Sequence, residues 1–174
     1  IFKKLGNGYN RYEYDGGIMD IKSLIRVIED YPEKGISFKD ITTLLKDKDG
    51  FRKTIDLLEA ELKDYDFDYI AGVESRGLIF GAPLADRLNK GFIPIRKPGK
   101  LPAEIEKVSY DLEYGTNELE IHKDALNEGD RVVIIDDLIA TGGSAKAAAK
   151  LVESIGGEVV CFEFLIELTS LKGR

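Results

Sequence analysis

The chain has 174 residues, 43% of them hydrophobic, and a formal net charge of -7 at pH 7. This size and apolar content fit one folded domain with a sizeable core, and the acidic balance argues against nucleic acid as the main partner. No apolar stretch is long enough to span a bilayer, and the single cysteine, Cys161, lies in an apolar run, as a core residue would in a reducing compartment. We therefore expect a cytoplasmic protein without nucleic-acid or membrane partners.

The first 18 residues differ from the rest of the chain. They are polar and rich in tyrosine, lack the pattern of a signal peptide, and precede Met19, which looks like a natural start. We predict a leader or non-native segment over 1–18 and a single domain over 19–174. Tyr12 and Tyr14 alternate with polar residues, so an edge strand is the alternative for this segment.

Apolar residues at helical spacing predict two helices in the first part of the domain. The apolar face of the first helix consists of Ile21, Leu24, Ile25 and Ile28. The apolar face of the second helix consists of Phe51, Thr54, Ile55, Leu58 and Leu62. Asp49 precedes this second face and is a plausible N-cap.

From residue 69 onward, apolar strand patterns alternate with helical patterns, which is the order that a parallel sheet requires. The predicted strands cover 69–73, 93–97, 131–136 and 158–168. The predicted helices cover 78–88 and 145–155. The sequence therefore predicts an α/β fold with a central, mostly parallel sheet flanked by helices.

Residues 132–144 are the most informative part of the chain. Val132 to Ile135 are all β-branched, which favours a strand buried on both faces. Asp136 and Asp137 would then leave the sheet at its carboxyl edge, where open α/β sheets bind their ligands. Two adjacent carboxylates at such an edge suit sugar hydroxyls or a divalent cation.

A small, glycine-rich turn follows the two carboxylates. Thr141, Gly142, Gly143 and Ser144 can direct backbone N–H groups and hydroxyls toward one phosphate. The predicted helix directs its positive end to the same place. The segment therefore predicts a pocket for a sugar phosphate, and the alternative is a solvated turn that is acidic and glycine-rich by coincidence.

Two further turns carry basic residues that could bind a second phosphate group. The turn 74–77 follows the strand 69–73, so Arg76 would face the same crevice as Asp136. The basic turn 96–100 could cover a pyrophosphate. Their alternatives are an ordinary solvated turn and a solubilising surface loop.

The chain offers little else for catalysis or direct metal binding. His122, the only histidine, is predicted to be an exposed strand residue without a catalytic role. Since Cys and His form no metal-binding motif, any Mg²⁺ is expected to arrive with a phosphorylated substrate.

The segment 132–144 resembles the phosphoribosyl-pyrophosphate (PRPP) motif of type I phosphoribosyltransferases, in which a hydrophobic strand and two acidic residues precede A-T-G-G-[ST]. Three stretches are similar to the adenine phosphoribosyltransferases in particular: 31–41, 95–102 and 109–115. With 72–81, the similarity extends almost unbroken from about residue 20 to residue 174. The resemblance implies the type I fold, with a small N-terminal hood and a flexible loop, and transfer of the 5-phosphoribosyl group from PRPP to adenine, giving AMP and pyrophosphate.

The resemblance also implies a role for individual residues. It makes Asp136 and Asp137 the ribose diol site, and it makes Glu113 the catalytic carboxylate, with Tyr114 beside it. A loop over about 97–110 would close over the site. The implied 5-phosphate ligands are Ala140, Thr141, Gly142, Gly143 and Ser144. The implied pyrophosphate ligands are Ser75, Arg76, Lys97 and Lys100, of which Arg76 also takes part in catalysis. The implied adenine ligands are Ser37, Phe38 and Lys39, the last in place of an Arg that many members carry.

The resemblance implies three further properties. The turn at Glu74 to Gly77 often contains a non-proline cis peptide in this family. Mg²⁺ would be held mainly by substrate phosphates, with Asp136 and Asp137 as the candidate protein ligands, and the protein would be a homodimer. Two alternatives stay open: preference for another purine base, and a non-catalytic regulator that senses PRPP or a purine.

Overall fold

The computed structural model describes residues 12–14, 17–111 and 116–173, with backbone alone for 12–14, 17–19 and 111. The chain divides into two compact units, Phe2–Ala60 and Glu61–Arg174. Glu113 and Tyr114 lie outside the described residues, as does most of the predicted leader. In the described part of the chain, no helix combines the length and apolarity that a membrane crossing needs.

The first unit contains two antiparallel strand pairs. Strand β1 (Tyr12–Tyr14) pairs with β2 (Gly17–Met19), and β3 (Arg26–Glu29) pairs with β4 (Ser37–Asp40). A 3₁₀ turn over Ile21–Leu24 connects the two pairs. The helices α1 (Thr42–Lys46) and α2 (Lys48–Leu62) follow.

The predicted helix through Ile21 to Ile28 is wrong. After one 3₁₀ turn the backbone becomes extended at Ile25, and Ile28 pairs with Phe38 across the hairpin. The β-branched pair Val27 and Ile28 favours this extended state, and tertiary pairing overrides an apolar spacing that also fits a helix. A strand partner eight or more residues away is not visible in the local pattern.

The second predicted helix is confirmed as α2, but its cap is different. Thr54, Ile55 and Leu58 are buried on the predicted face. Asp47 Oδ1 accepts hydrogen bonds from the N–H groups of Asp49 and Gly50, at 3.1 and 2.8 Å. Asp47 therefore caps the helix, and Asp49 lies within its first turn, where a carboxylate also interacts favourably with the helix dipole.

The second unit contains the predicted parallel sheet. Its four strands lie in the order β10-β9-β5-β6 and are parallel. The strands are β5 (Tyr69–Val73), β6 (Gly91–Ile95), β9 (Arg131–Ile139) and β10 (Glu158–Glu167). The helices are α3 (Arg76–Arg87) and α4 (Gly143–Ser154), and a 3₁₀ turn over Thr169–Leu171 follows β10. An antiparallel hairpin is formed by β7 (Ile105–Asp111) and β8 (Thr116–His122).

Strand β9 is the centre of the core. Val132 to Ile135 are completely buried, as the β-branched run predicts. Val132 and Ile134 belong to an apolar cluster that includes Leu151 and Val152 of α4. The α/β fold with a central parallel sheet is thus confirmed.

The prediction that Asp136 and Asp137 leave the sheet is wrong in one respect. Strand β9 continues to Ile139, and Asp136 pairs with Phe164 of β10. On the other side, the pairing of β9 with β5 ends at Ile135. At the two carboxylates, β9 is still paired with β10 but no longer with β5. The edge of β9 that faced β5 can therefore face a ligand.

Candidate active site

A cavity of about 320 Å³ lies at the carboxyl ends of β5 and β9 in the second unit. All three turns that the sequence singled out as phosphate-binding contribute to it. Its lining residues are Val73, Glu74, Ser75, Arg76, Lys97, Tyr110, Asn117, Asp136, Asp137, Leu138, Ala140, Thr141, Gly142, Gly143 and Ser144. The structure thus brings together the predicted diol site, the predicted 5-phosphate loop and three of the four predicted pyrophosphate ligands.

The 5-phosphate loop ends at the N-terminus of α4. Gly142 caps the helix with φ = +83°, a left-handed conformation that a Cβ would disfavour. The first N–H groups of an α-helix have no acceptor within the helix, and the positive end of the helix dipole lies there. Because Gly142, Gly143 and Ser144 line the cavity, this end of α4 is suited to bind an anion there.

The two aspartates form a buried pair next to an arginine. Asp137 is only 2% exposed, and its backbone N–H donates to Asp136 Oδ1 at 2.8 Å. Asp137 Oδ2 lies 3.0 Å from Arg76 Nε, yet it accepts no hydrogen bond from the described residues. This contact is therefore an ion pair without hydrogen-bond geometry. A buried carboxylate oxygen in the cavity is left with capacity for a ligand hydroxyl or a cation.

Close backbone approach places Arg76 beside this pair. A Cβ on Gly77 would lie 2.5 Å from the carbonyl oxygen of Ile135 and 3.1 Å from the Cα of Asp136. Glycine at this position lets the first turn of α3 touch β9. The contact fixes the distance between Arg76 and Asp137.

The electrostatics of the aspartate pair oppose its full ionisation in the absence of a ligand. Burial and the neighbouring Asp137 carboxylate raise the pKa of Asp136 to about 7. Burial also raises the pKa of Asp137, although Arg76 acts in the opposite direction. A ligand that supplies hydroxyl donors or positive charge would favour the ionised pair.

Asp136→Asn is expected to stabilise the ligand-free protein more at pH 8 than at pH 4.5. A carboxyl group whose pKa is raised in the folded state contributes stability that is present below its unfolded pKa and lost as the pH rises through about 7. The amide does not titrate, so the advantage of the variant should grow between these two pH values. A change of 1 kcal/mol shifts the unfolding temperature by about 2–4 °C in a chain of this size. Thermal unfolding of both proteins at both pH values measures the difference, and an equal difference at the two values would contradict the assignment.

The turn after β5 contains a cis peptide bond between Glu74 and Ser75, which confirms the expectation from the family resemblance. Glu74 Oε2 accepts hydrogen bonds from Arg96 Nε at 2.9 Å and from the Lys97 N–H at 2.8 Å. Burial raises the pKa of Glu74, but these hydrogen bonds outweigh it and hold the pKa below its ordinary value. An ionised Glu74 thus ties the start of the basic turn to the 74–77 turn.

The basic residues of the turn 96–100 have different surroundings. Arg96 pairs with Glu74, and Lys97 lines the cavity. Lys100 is exposed and is not among the residues that line the cavity. Residues 105–110 of the segment 97–110, which the family resemblance makes a closing loop, belong to strand β7 and pair with β8.

Two residues at the cavity were missed by sequence reasoning. Tyr110 and Asn117 are opposite each other in the β7–β8 register, and both line the cavity. Asn117 lies in no motif of its own, and only the pairing of the two strands places it beside Tyr110. The sequence predicted a strand at His122 but not the partner of that strand.

The predicted adenine ligands are neighbours on β4 in the first unit. Lys39 Nζ donates to Ser37 Oγ at 2.8 Å, and Ser37 Oγ donates to Glu29 Oε1 at 3.0 Å. The Phe38 ring packs edge-on against Tyr31, with ring centroids 5.3 Å apart and an interplanar angle of 80°. The structure therefore brings these three predicted residues together on one strand.

The described residues contain no group of three or more His, Cys, Asp and Glu side chains arranged to hold a metal ion. His122 lies on β8, as predicted, but it is half-buried rather than exposed. Its Nε2 accepts a hydrogen bond from the Ala103 N–H at 3.4 Å. This hydrogen bond links β8 to the backbone at Ala103.

Comparison with known proteins agrees with this geometry. The phosphoribosyl transferase domain family matches residues 40–169. The adenine phosphoribosyltransferase of Halothermothrix orenii is 60% identical over 156 residues, which cover 90% of this chain and 92% of that protein. The chain belongs to the adenine phosphoribosyltransferase family.

Solved structures of adenine phosphoribosyltransferases share the fold. The enzyme of Thermoanaerobacter pseudethanolicus superposes with a TM-score of 0.87 at 60% identity, over 88% of this chain and 90% of that one. The enzyme of Saccharomyces cerevisiae, complexed with an imino-altritol bisphosphate and adenine, gives a TM-score of 0.83 at 43% identity, over 88% and 90% of the two chains. Adenine phosphoribosyltransferases are pentosyltransferases of purine salvage. The predicted resemblance and the predicted enzyme class are confirmed.

Proposed function

We propose that this protein transfers the 5-phosphoribosyl group of PRPP to adenine and releases AMP and pyrophosphate. The observation that carries the proposal is one cavity that joins an anion-binding helix N-terminus, a buried pair of carboxylates and a second turn with an arginine. PRPP has the matching groups in the matching order: a 5-phosphate, a ribose diol and a pyrophosphate. The family assignment supplies the acceptor.

We place each part of PRPP by its chemistry. The 5-phosphate would accept hydrogen bonds from the loop Ala140 to Ser144, and the ribose hydroxyls would donate to Asp136 and Asp137. The pyrophosphate would lie against Ser75, Arg76 and Lys97, the cationic side of the cavity. Lys100, on the same basic turn, would join them when the segment 97–110 closes over the site.

Adenine and the catalytic carboxylate are assigned from the family resemblance. Phe38 would contact the purine ring with its aromatic face, which offers a large contact area at small entropic cost. Ser37 and Lys39, joined by their hydrogen bond, would contact the edge of the base. Glu113, with Tyr114 beside it, would act as acid or base at the purine.

The cavity fits a magnesium ion that arrives with PRPP. The buried Asp137 Oδ2 accepts no hydrogen bond from the described residues, and carboxylate oxygens are hard ligands of the kind that Mg²⁺ prefers. Asp136 and Asp137 would hold the ion together with substrate oxygens and water. When bound, the ion would neutralise charge on the phosphate groups.

In the reaction, adenine N9 forms a bond to the anomeric carbon while the bond from that carbon to the pyrophosphate oxygen breaks. The electron pair leaves with pyrophosphate, and the purine gives up one proton. Negative charge grows on the leaving group, where Arg76 and Lys97 can stabilise it. Since water would attack the ribosyl carbon as well, closure of the segment 97–110 would protect the reaction.

We further propose that the protein is a cytoplasmic homodimer. The support is its family, in which loops of one subunit often border the partner's site, and closed two-fold symmetry is the commonest assembly of soluble proteins. Light scattering of the purified protein measures the mass of the assembly. A monomer that is fully active would contradict this part of the proposal.

The direct test is an assay of nucleotide formation from PRPP with adenine, hypoxanthine or guanine, each with Mg²⁺ and with a chelator. We expect AMP from adenine in the presence of Mg²⁺, and rates at least about 100-fold lower with the other bases, because a site built to hydrogen-bond one base leaves buried polar groups unpaired with another. Faster turnover of hypoxanthine or guanine would favour another purine. Binding of PRPP without turnover of any base would favour a regulator.

A further inference from the structure

The chain after β10 turns back onto the phosphate loop. The Leu168 N–H donates to the carbonyl oxygen of Ile139 at 2.9 Å, which fixes the start of this turn at the end of β9. A 3₁₀ turn over Thr169–Leu171 follows, and Lys172 takes a left-handed conformation with φ = +50°. Gly173 is thereby brought against the backbone of Ala140 and Gly142.

Gly142 and Gly173 face each other so closely that neither has room for a side chain. A Cβ on Gly142 would collide with the carbonyl oxygen of Gly173. A Cβ on Gly173 would collide with the carbonyl oxygen of Ala140 and lie 3.0 Å from the Gly142 nitrogen. All of these obstructing atoms belong to the backbone, so no side chain can rotate away to relieve the contact.

We infer that Gly173 is a positioning residue for the 5-phosphate: its backbone supports the Ala140–Gly142 segment from outside the cavity. The inference rests on the proposed function, because it assigns Ala140 to Ser144 to the 5-phosphate. Gly142 is both the N-cap of α4 and the residue that Gly173 touches, so a displacement there changes the direction of the N–H groups that face the phosphate. The atoms nearest to a Cβ on Gly173 belong to Ala140 and Gly142, and none of them to the aspartate pair or the Ser75–Arg76 turn. The effect should therefore be confined to one end of the substrate.

The test is the variant Gly173→Ala, with Ser170→Ala as a matched control in the same turn. Ser170 is exposed, and its replacement adds no atom next to the phosphate loop. Calorimetry with ribose 5-phosphate and, separately, with inorganic pyrophosphate measures the two ends of the cavity. We expect Gly173→Ala to weaken ribose 5-phosphate binding about tenfold, the size of one weakened charge-assisted hydrogen bond, and to change pyrophosphate binding less than about twofold. Ser170→Ala should change neither.

A second measurement is independent of the ligands. Amide hydrogen exchange in Gly173→Ala should be faster at residues 140–144 than in the wild type and unchanged in β5 and β9. Unchanged ribose 5-phosphate affinity would overturn the inference. An equal loss of affinity for both ligands, or loss of a cooperative unfolding transition, would also overturn it, because Gly173 would then stabilise the whole fold and not only the phosphate loop. A wild-type protein that does not bind ribose 5-phosphate would instead contradict the proposed function.

Discussion

Replacement of both Asp136 and Asp137 with Asn is expected to weaken PRPP binding about 100-fold and to leave the protein folded. The two carboxylates lie in the cavity, and Asp137 Oδ2 has an unused acceptor capacity there. A hydrogen bond to a charged group contributes about 1.5–3 kcal/mol, and about 1.4 kcal/mol corresponds to a tenfold change in affinity. Loss of charge at both positions therefore predicts a change of about two orders of magnitude.

Calorimetric titration with PRPP and Mg²⁺ measures this effect. The matched control is Asp124→Asn, which makes the same chemical change at an exposed position away from the cavity. The control should bind PRPP as the wild type does. Unchanged affinity in the double variant would remove the aspartate pair from the diol site.

Glu113→Gln is expected to reduce turnover about 100-fold or more and to change PRPP affinity by less than about twofold. The proposed task of Glu113 is to move a proton at the purine, and general acid–base catalysis by one side chain typically contributes about 10²–10⁴-fold. The amide keeps the size of the side chain but cannot take up or release a proton near neutral pH. The variant should therefore bind the donor and fail in the chemical step.

Turnover under saturating substrates and equilibrium binding of PRPP separate these two effects. Glu104→Gln, an exposed position in the same part of the chain, is the control and should keep full turnover. If Glu113→Gln turns over adenine at the rate of the wild type, Glu113 has no part in the chemistry. If it loses PRPP affinity in proportion to turnover, its role is in binding.

The sequence predicted the parts of the site that depend on local chemistry. A β-branched run, two carboxylates and a glycine-rich turn follow one another within 132–144, and each feature has one main structural reason. The parallel sheet followed from the alternation of strand and helix patterns. Arg76 and Asp137 lie near the carboxyl ends of β5 and β9. Because these strands are parallel, their carboxyl ends meet at the same edge of the sheet, and the two residues lie close together.

The parts that the sequence did not predict depend on partners far along the chain. Strand β9 extends to Ile139 because β10 pairs with it, although Asp residues are unfavourable in strands. Glu74 accepts hydrogen bonds from Arg96 and Lys97 because the pairing of β5 with β6 places Val73 beside Ile95. The hairpin β3–β4 also depends on distant pairing, and it lies where the sequence predicted part of a helix.

The contact between Gly142 and Gly173 is the clearest example. Gly142 belongs to the motif, and its role could be predicted from its neighbours. Gly173 follows a turn that begins where β10 ends, and no local pattern connects it to residue 142. Only the parallel register of β9 and β10 brings the chain after β10 back to the phosphate loop.

The measurement that tests the central claim most directly is a crystal structure of the protein with ribose 5-phosphate and pyrophosphate bound. We predict that the 5-phosphate accepts hydrogen bonds from backbone N–H groups of the loop Ala140 to Ser144. The ribose hydroxyls should donate to Asp136 and Asp137, and pyrophosphate should contact Arg76. A 5-phosphate bound away from this loop, or ribose hydroxyls turned away from both aspartates, would contradict the proposed arrangement of the site.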